Sequence, residues 1–193
     1  MSQARRVLRA PATTADLLAL AEDVAAEVVD GELVEKAAPS FEHGQTQFLI
    51  CVHLGRFGGP PSGGGAAGWW IATEVDVEYE PRQVYRHDVV GWRRSRVPER
   101  PAGRPIRARP DWVCEILSAS NASTDTVRKL RTLHRDQVPH YWIADPERRT
   151  LTVLRWATEG FLTIMTAEAG ERARAEPFDE IELDVAGIFG EPA

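Results

Sequence analysis

A mixed α/β fold (α+β by order of elements), with one central mixed sheet and a β-hairpin near each end, is what the sequence predicts, on three observations. First, residues 69–92 and 111–117 carry alternating runs rich in β-branched and aromatic residues, punctuated by Pro81 and Pro110. Second, the helix-period segment DTVRKLRTLHRDQ lies between the strand-like runs DWVCEIL and VPHYWIAD, the pattern of a β-α-β unit. Third, Asp30-Gly31 supplies the positive φ of a two-residue hairpin turn, and ERRTLTVLRW with GFLTIMTA forms a second hairpin later in the chain. At 193 residues, 43% hydrophobic and 27% charged, the chain is long enough to bury a core without disulfide staples. It contains no internal repeat and no linker clean enough to split it. It therefore reads as one domain over residues 1–193, with a core of about 14–190 and a flexible tail over 1–12.

In chain order, Thr13 or Thr14 caps a first helix, ADLLALAED, and AAEVVDGELVEK makes the first hairpin. Ser40 caps a second helix, FEHGQTQFLICVHLGRF, whose Phe48, Leu49, Val52 and Phe57 recur at roughly helical spacing and are expected to form its buried face. Residues 55–68 hold seven of the 15 glycines plus Pro60 and Pro61, and read as a flexible loop. The stretch GGPPSGGG lacks a following GK[ST], so it does not read as a phosphate cradle. Strands WWIATEVDVEYE, VYRHDVVGW and DWVCEIL follow, then a helix capped by Ser123 or Thr124 with Val127, Leu130 and Leu133 or His134 facing inward. VPHYWIAD, the second hairpin, and a strand with one helical turn in FDEIELDVAGIF complete the order.

The charge pattern narrows the function classes. The 23 basic residues comprise 21 arginines and only Lys36 and Lys129, against 29 acids, for a net charge of −6. That balance excludes a polybasic chain whose overall field would attract nucleic acid. Locally it is different: residues 82–109 carry nine arginines against Asp88 and Glu99, a segment of +7 in a remainder of −13. Such a run is either a solvated face or a phosphate-binding surface. Cys51 and Cys114 can make neither a disulfide framework nor a zinc knuckle and read as reduced core residues. No membrane span or signal segment is evident, which gives a cytoplasmic expectation.

Carboxylates on strands otherwise built of Val, Trp and Ile are costly to bury without a cation or partner, which singles out Asp88, Asp111 and Glu115. Asp111 and Glu115 share a strand face but stand ~13 Å apart along it. Asp88, on another strand, can lie opposite Glu115 at roughly 5 Å, close enough to share one hard cation such as Mg2+. His87, next to Asp88, is expected to point to the other face of its strand. Lys129, early in the helix after the Glu115 strand, can reach back over the strand end to assist a water and stabilise charge. Its alternative is a surface pair with Asp125 at i, i+4.

The segments DGELVE (30–35), PSFEHG (39–44), the strand around Asp88, PDWVCEILSAS (110–120), Lys129-Leu130 and VPHYWIADPE (138–147) together resemble the Uma-type restriction endonuclease family of the PD-(D/E)XK nuclease superfamily. The resemblance implies a restriction endonuclease-like α-β-β-β-α-β core, with Asp88 and Glu115 as metal-binding acids. The usual lysine two residues after the Glu is replaced by Leu117, and the resemblance implies that the following helix supplies it at Lys129. The chain departs from the family at Arg86-His87, where Arg-Pro is usual, and at Leu133, where a tyrosine is. Glu32 and His43 match family positions: Glu32 either adds a carboxylate to the site or is a polar hairpin residue, and His43 packs or caps more readily than it ligates.

The expected function is a Mg2+- or Mn2+-dependent endonuclease acting on DNA, with Arg93, Arg94, Arg96, Arg128 and Arg131 tracking phosphates. Two alternatives stand: a catalytically silent nucleic-acid-binding or interaction module of the same fold, and an RNase or structure-selective repair nuclease. Cutting both strands of a duplex with one site per chain suggests a homodimer.

Overall fold

The structure, a computed structural model, describes residues 10–21, 24–59, 68–118 and 124–191. The expectations of a tail over 1–12, for residues 1–9, of a loop over 55–68, for residues 60–67, and of a cap at Ser123 lie outside them. The elements are α1 (Thr14–Leu18), β1 (Ala26–Val29), β2 (Glu32–Glu35), α2 (Phe41–Gly58), β3 (Trp69–Glu80), β4 (Gln83–Arg93), β5 (Trp112–Ile116), α3 (Thr124–Arg135), β6 (His140–Asp145), β7 (Thr150–Ala157), β8 (Gly160–Glu168), β9 (Arg172–Ala173), β10 (Leu183–Asp184) and α4 (Val185–Ile188). Eight strands form one sheet in the order β2-β1-β4-β5-β6-β7-β8, with β3 also on β4, and β9 pairs β10 separately. Only β5 and β6 run parallel among the paired strands of the main sheet, joined by α3 as the β-α-β reading requires.

The first helix is shorter than the run ADLLALAED suggests, ending at Leu18. The Thr13 N–H and hydroxyl both donate to Asp16 Oδ2 at 2.8 Å, fixing its start. Leu17 is the helix residue buried in the small core of Ala26, Val28 and Val84, and Ala12, Leu20 and Val24, outside the helix, complete its cover. The first hairpin forms as expected, with Asp30 at φ 51° and Gly31 at φ 79°.

In α2 the buried face differs from the expected one. Thr46, Ile50, Leu54 and Phe57 point inward, whereas Phe48 is 65% and Val52 56% exposed. Positions 48 and 52 lie about 200° of helix rotation from Ile50, so the sequence carries two apolar stripes and periodicity alone does not choose between them. In α3, similarly, Val127 is exposed and Leu133 fully buried.

One core lies between the sheet and α2 with α4, centred on Trp112, Trp142 and Phe178. Phe178 packs against Trp69, Trp112 and Phe57 with ring centroids 4.9 Å apart. The other lies towards α3 and contains Val77, Val90, Val113, Leu133 and Tyr141.

His140, at the start of β6, gives a pH prediction. Burial, with Arg93 and Arg155 nearby, pushes its imidazole down to about 4. The folded state thus disfavours the proton that the unfolded chain accepts near 6.5. The stability from this group is complete above pH 6.5 and is lost as pH falls towards 4. Urea titrations should show 1–2 kcal/mol lost, in order of magnitude, between pH 7 and 5. The loss should shrink in His140→Gln, and an unchanged slope in that variant would assign it elsewhere.

Two irregularities of β3 and β4 position the site. Strict alternation would put Trp70 and Val75 on opposite faces, yet both pack in the α3-side core. The change of face falls at Glu74, whose φ is 54°. The second irregularity is along the outer edge of β4, which pairs β1 at Val28↔Val84 and β5 only from Val89↔Cys114 onward. Between these contacts the ladder is open. The Arg86 N–H donates instead to Glu27 Oε1 at 2.9 Å, and the Arg86 carbonyl accepts from Lys36 Nζ at 3.0 Å.

Candidate active site

The opening along β4 is the floor of a cleft of about 360 Å³, lined by Lys36, His43, Glu74, Asp88, Glu115 and Lys129 among others. Asp88 sits at its centre, 3% exposed. Its Oδ2 accepts from the Ile116 N–H at 2.8 Å, standing in for a missing ladder bond. Its Oδ1 lies 3.1 Å from Lys36 Nζ and 3.6 Å from His43 Nε2. Burial works to raise the Asp88 carboxyl, but His43, Lys36 and Lys129 together hold it well below the usual carboxylate range. Reciprocally, the Asp88 carboxylate raises His43 against burial.

Glu115 reaches the α3 side of the sheet. Its Oε1 is 2.6 Å from His87 Nδ1 and its Oε2 accepts from Lys129 Nζ at 2.8 Å. Burial would raise its carboxyl, but Lys129 and His87 together outweigh that, leaving it lowered. Lys129 is also 3.3 Å from Glu27 Oε1 and stands 5.4 Å from the Tyr85 ring centroid. His87 points away from the Asp88 side, as alternation suggests, and meets Glu115 and the Tyr79 hydroxyl there, the latter at 2.8 Å. A carboxylate at Nδ1 requires a proton on that nitrogen, so in the neutral imidazole Tyr79 donates to Nε2.

Asp88, Glu115, Lys129 and His43 therefore come together at one cleft. Glu32 does not join them: it is exposed on β2, and Glu27 of β1 is the buried hairpin carboxylate. Hairpin register puts Glu27 and Glu32 on one face, and the pairing of β1 with β4 decides that Glu27 is the buried one. Lys36 and Glu74 were likewise missed. Rarity marks Lys36, one of two lysines. Nothing in the sequence marks Glu74, because its direction depends on a left-handed backbone. The i, i+4 alternative for Lys129 gives way to its two buried carboxylate partners.

The arginines lie elsewhere. Arg93 stacks on Trp69 and Arg94 on Trp70, with centroid distances of 4.6 and 3.9 Å. Arg94 also donates to the Trp69 carbonyl at 3.1 Å, and Arg96 to Asp111 Oδ1 at 2.7 Å. The pair Arg86 and Arg104 share Asp76. Much of the +7 segment is thus matched by strand acids within the fold. Arg128 is 3.9 Å from Asp30, and Arg131 is exposed on α3.

The donor chemistry fits a divalent cation. One ligand atom each from His43, Glu74 and Asp88 lie within 4.8 Å of one another, and the buried His43 Nδ1 has no hydrogen-bond partner among the described residues. Glu115 is a further acid on the same cleft, held at present by Lys129 and His87.

A mixed sheet with a parallel β-α-β unit and acids at a split between strands defines a restriction endonuclease-like domain. The family model Uma2, described as "Putative restriction endonuclease", matches residues 14–186, and the chain belongs to that family of nucleases. Among solved structures it is similar to a putative nuclease belonging to DUF820 from Anabaena variabilis ATCC 29413. The TM-score is 0.74 at 20% identity, covering 93% of this chain and 98% of the other, a likeness of fold. No curated protein matches the chain. Among the described residues, no helix is long and apolar enough to cross a membrane.

Proposed function

We propose that the protein is a divalent-metal-dependent endonuclease that hydrolyses phosphodiester bonds in DNA, with Asp88, Glu115 and Lys129 as its catalytic residues. The observation that carries this reading is that these three buried side chains, from three different elements, line one open cleft. Asp88 and Glu115 would hold Mg2+ or Mn2+, which when bound polarises a phosphoryl oxygen and makes water more acidic. Lys129, an ammonium between two carboxylates, offers positive charge and N–H donors to the phosphate as the P–O bond to the leaving oxygen breaks. Glu27 and Tyr85 keep that ammonium in place. Arg128 and Arg131, on the helix that carries Lys129, are the arginines that would contact the phosphate backbone, whereas Arg93, Arg94 and Arg96 are engaged with Trp69, Trp70 and Asp111.

The test is nicking of supercoiled plasmid in Mn2+ across a salt series. Cleavage should fall steeply as salt rises, because several arginine-phosphate contacts release counterions. Arg128→Ala with Arg131→Ala should weaken binding and flatten that dependence. Absence of any nuclease activity on plasmid, single-stranded DNA or RNA with either metal sinks the reading, while cleavage of RNA alone moves the substrate from DNA to RNA. Duplex cutting would call for two copies acting together, which sedimentation at micromolar concentration checks.

A further inference from the structure

We propose that His43, Glu74 and Asp88 form a mixed nitrogen and oxygen cation site that selects Mn2+ over Mg2+, on the α2 side of Asp88 and separate from Glu115. Three elements converge to make it: the first turn of α2, the change of face in β3, and the open edge of β4. Their candidate ligand atoms lie within 4.8 Å of one another, and binding one ion at about 2.1 Å would draw them in to about 3–4 Å.

The pairing of the β3 acids points the same way. Asp76 is held by Arg86 and Arg104, Glu78 by Arg107, and Glu80 by Arg135. Glu74 is the exception among these four. Its hydrogen-bond partner among the described residues is the neutral Gln47 amide, at 3.0 Å, and that same amide nitrogen donates to the Asp88 carbonyl at 2.7 Å. α2 thus holds Glu74 beside Asp88 without supplying it a cation.

His43 is the independent observation. It is 8% exposed, its Nδ1 has no hydrogen-bond partner among the described residues, and its Nε2 faces Asp88 Oδ1 at 3.6 Å, longer than a hydrogen bond. Ser40 fixes its backbone by accepting from the His43 N–H at 3.3 Å. On Asp88 the two oxygens are already divided: Oδ2 accepts from Ile116, leaving Oδ1 towards His43. Lys36 Nζ, 3.1 Å from that Oδ1, is the internal cation an ion would have to displace. An imidazole donor favours first-row transition ions, whereas Mg2+ prefers oxygen ligands and retained water.

The inference does not need the nuclease reading for the ion to bind, and the experiment separates the two. Pulsed EPR on the wild-type protein loaded with Mn2+ should show nitrogen coupling from one directly bound imidazole. His43→Gln should abolish that coupling, and it and Glu74→Gln should each weaken Mn2+ binding about tenfold or more. Lys36→Met should tighten binding, and Glu115→Gln should keep the nitrogen coupling. Mg2+ should displace Mn2+ from His43→Gln at a far smaller excess than from wild type. Failure to bind Mn2+ at millimolar concentration, or bound Mn2+ without nitrogen coupling, overturns the site. Loss of Mn2+ binding in Glu115→Gln, with His43→Gln and Glu74→Gln unaffected, also overturns it by placing the ion between Asp88 and Glu115. Nitrogen-coupled Mn2+ with no cleavage of any polynucleotide upholds the site and removes the nuclease reading, and cleavage without nitrogen coupling does the reverse.

Discussion

Asp88→Asn and Glu115→Gln are each expected to lower plasmid cleavage about a thousandfold or more, a loss of about 4 kcal/mol in transition-state stabilisation. Both substitutions keep the size of the side chain, and an amide oxygen can still accept from the Ile116 N–H that Asp88 now satisfies at 2.8 Å. What they remove is charge. Asn at 88 leaves Lys36 and His43 facing a neutral group, and Gln at 115 does the same to Lys129. Circular dichroism should show a folded protein in each case, so lost cleavage reports on the chemistry. Wild-type rates in both variants would mean the acids at this cleft are not the catalytic ones.

Lys129→Met should produce the largest loss of stability, about 3–5 kcal/mol, because it leaves Glu27 and Glu115 buried with no cation between them. The pH dependence carries the signature. In the variant both carboxyls are pushed above their unfolded values, so the stability they permit is complete below about pH 4 and lost as pH rises through the raised folded values. Urea denaturation should therefore find the variant less stable at pH 8 than at pH 5.5. Adding Glu27→Gln should recover part of the loss by removing one stranded charge. Cleavage should fall about a hundredfold or more in the single variant and should not return in the double one, which separates the packing role of Lys129 from its catalytic one. Equal stability at the two pH values would show that these carboxylates do not depend on Lys129.

Much of this site was legible because its residues are out of place where they stand. Asp88 and Glu115 interrupt apolar strands, and Lys129 is one of two lysines in an arginine-rich chain. The β-α-β unit that brings Glu115 and Lys129 together is local, so spacing sufficed. Glu27 was not legible, since its role depends on the pairing of β1 with β4 and on a hydrogen bond from Arg86, 59 positions away. Glu74 escaped for a different reason: the period-two rule is a rule about extended backbone, and it fails at a residue with φ 54°. The α2 face failed because Phe48 and Val52 are as apolar as Ile50 and Leu54, and only the sheet decides which stripe it covers. The arginine segment was read as one electrostatic surface, whereas cross-strand register spends several of its charges on Asp76, Glu78 and Asp111.

The open ladder along β4 bears on how such a chain can change over generations. Glu27, Lys36 and Asp88 each complete a backbone hydrogen bond that a neighbouring strand would otherwise make. Their chemistry and the stitching of the sheet are therefore the same atoms. A descendant that lost its activity by drift could not discard these side chains for alanine or valine without stranding buried backbone groups. Inert descendants of this chain should instead carry asparagine or glutamine at the acidic positions, keeping the outline of a working site after the work has stopped.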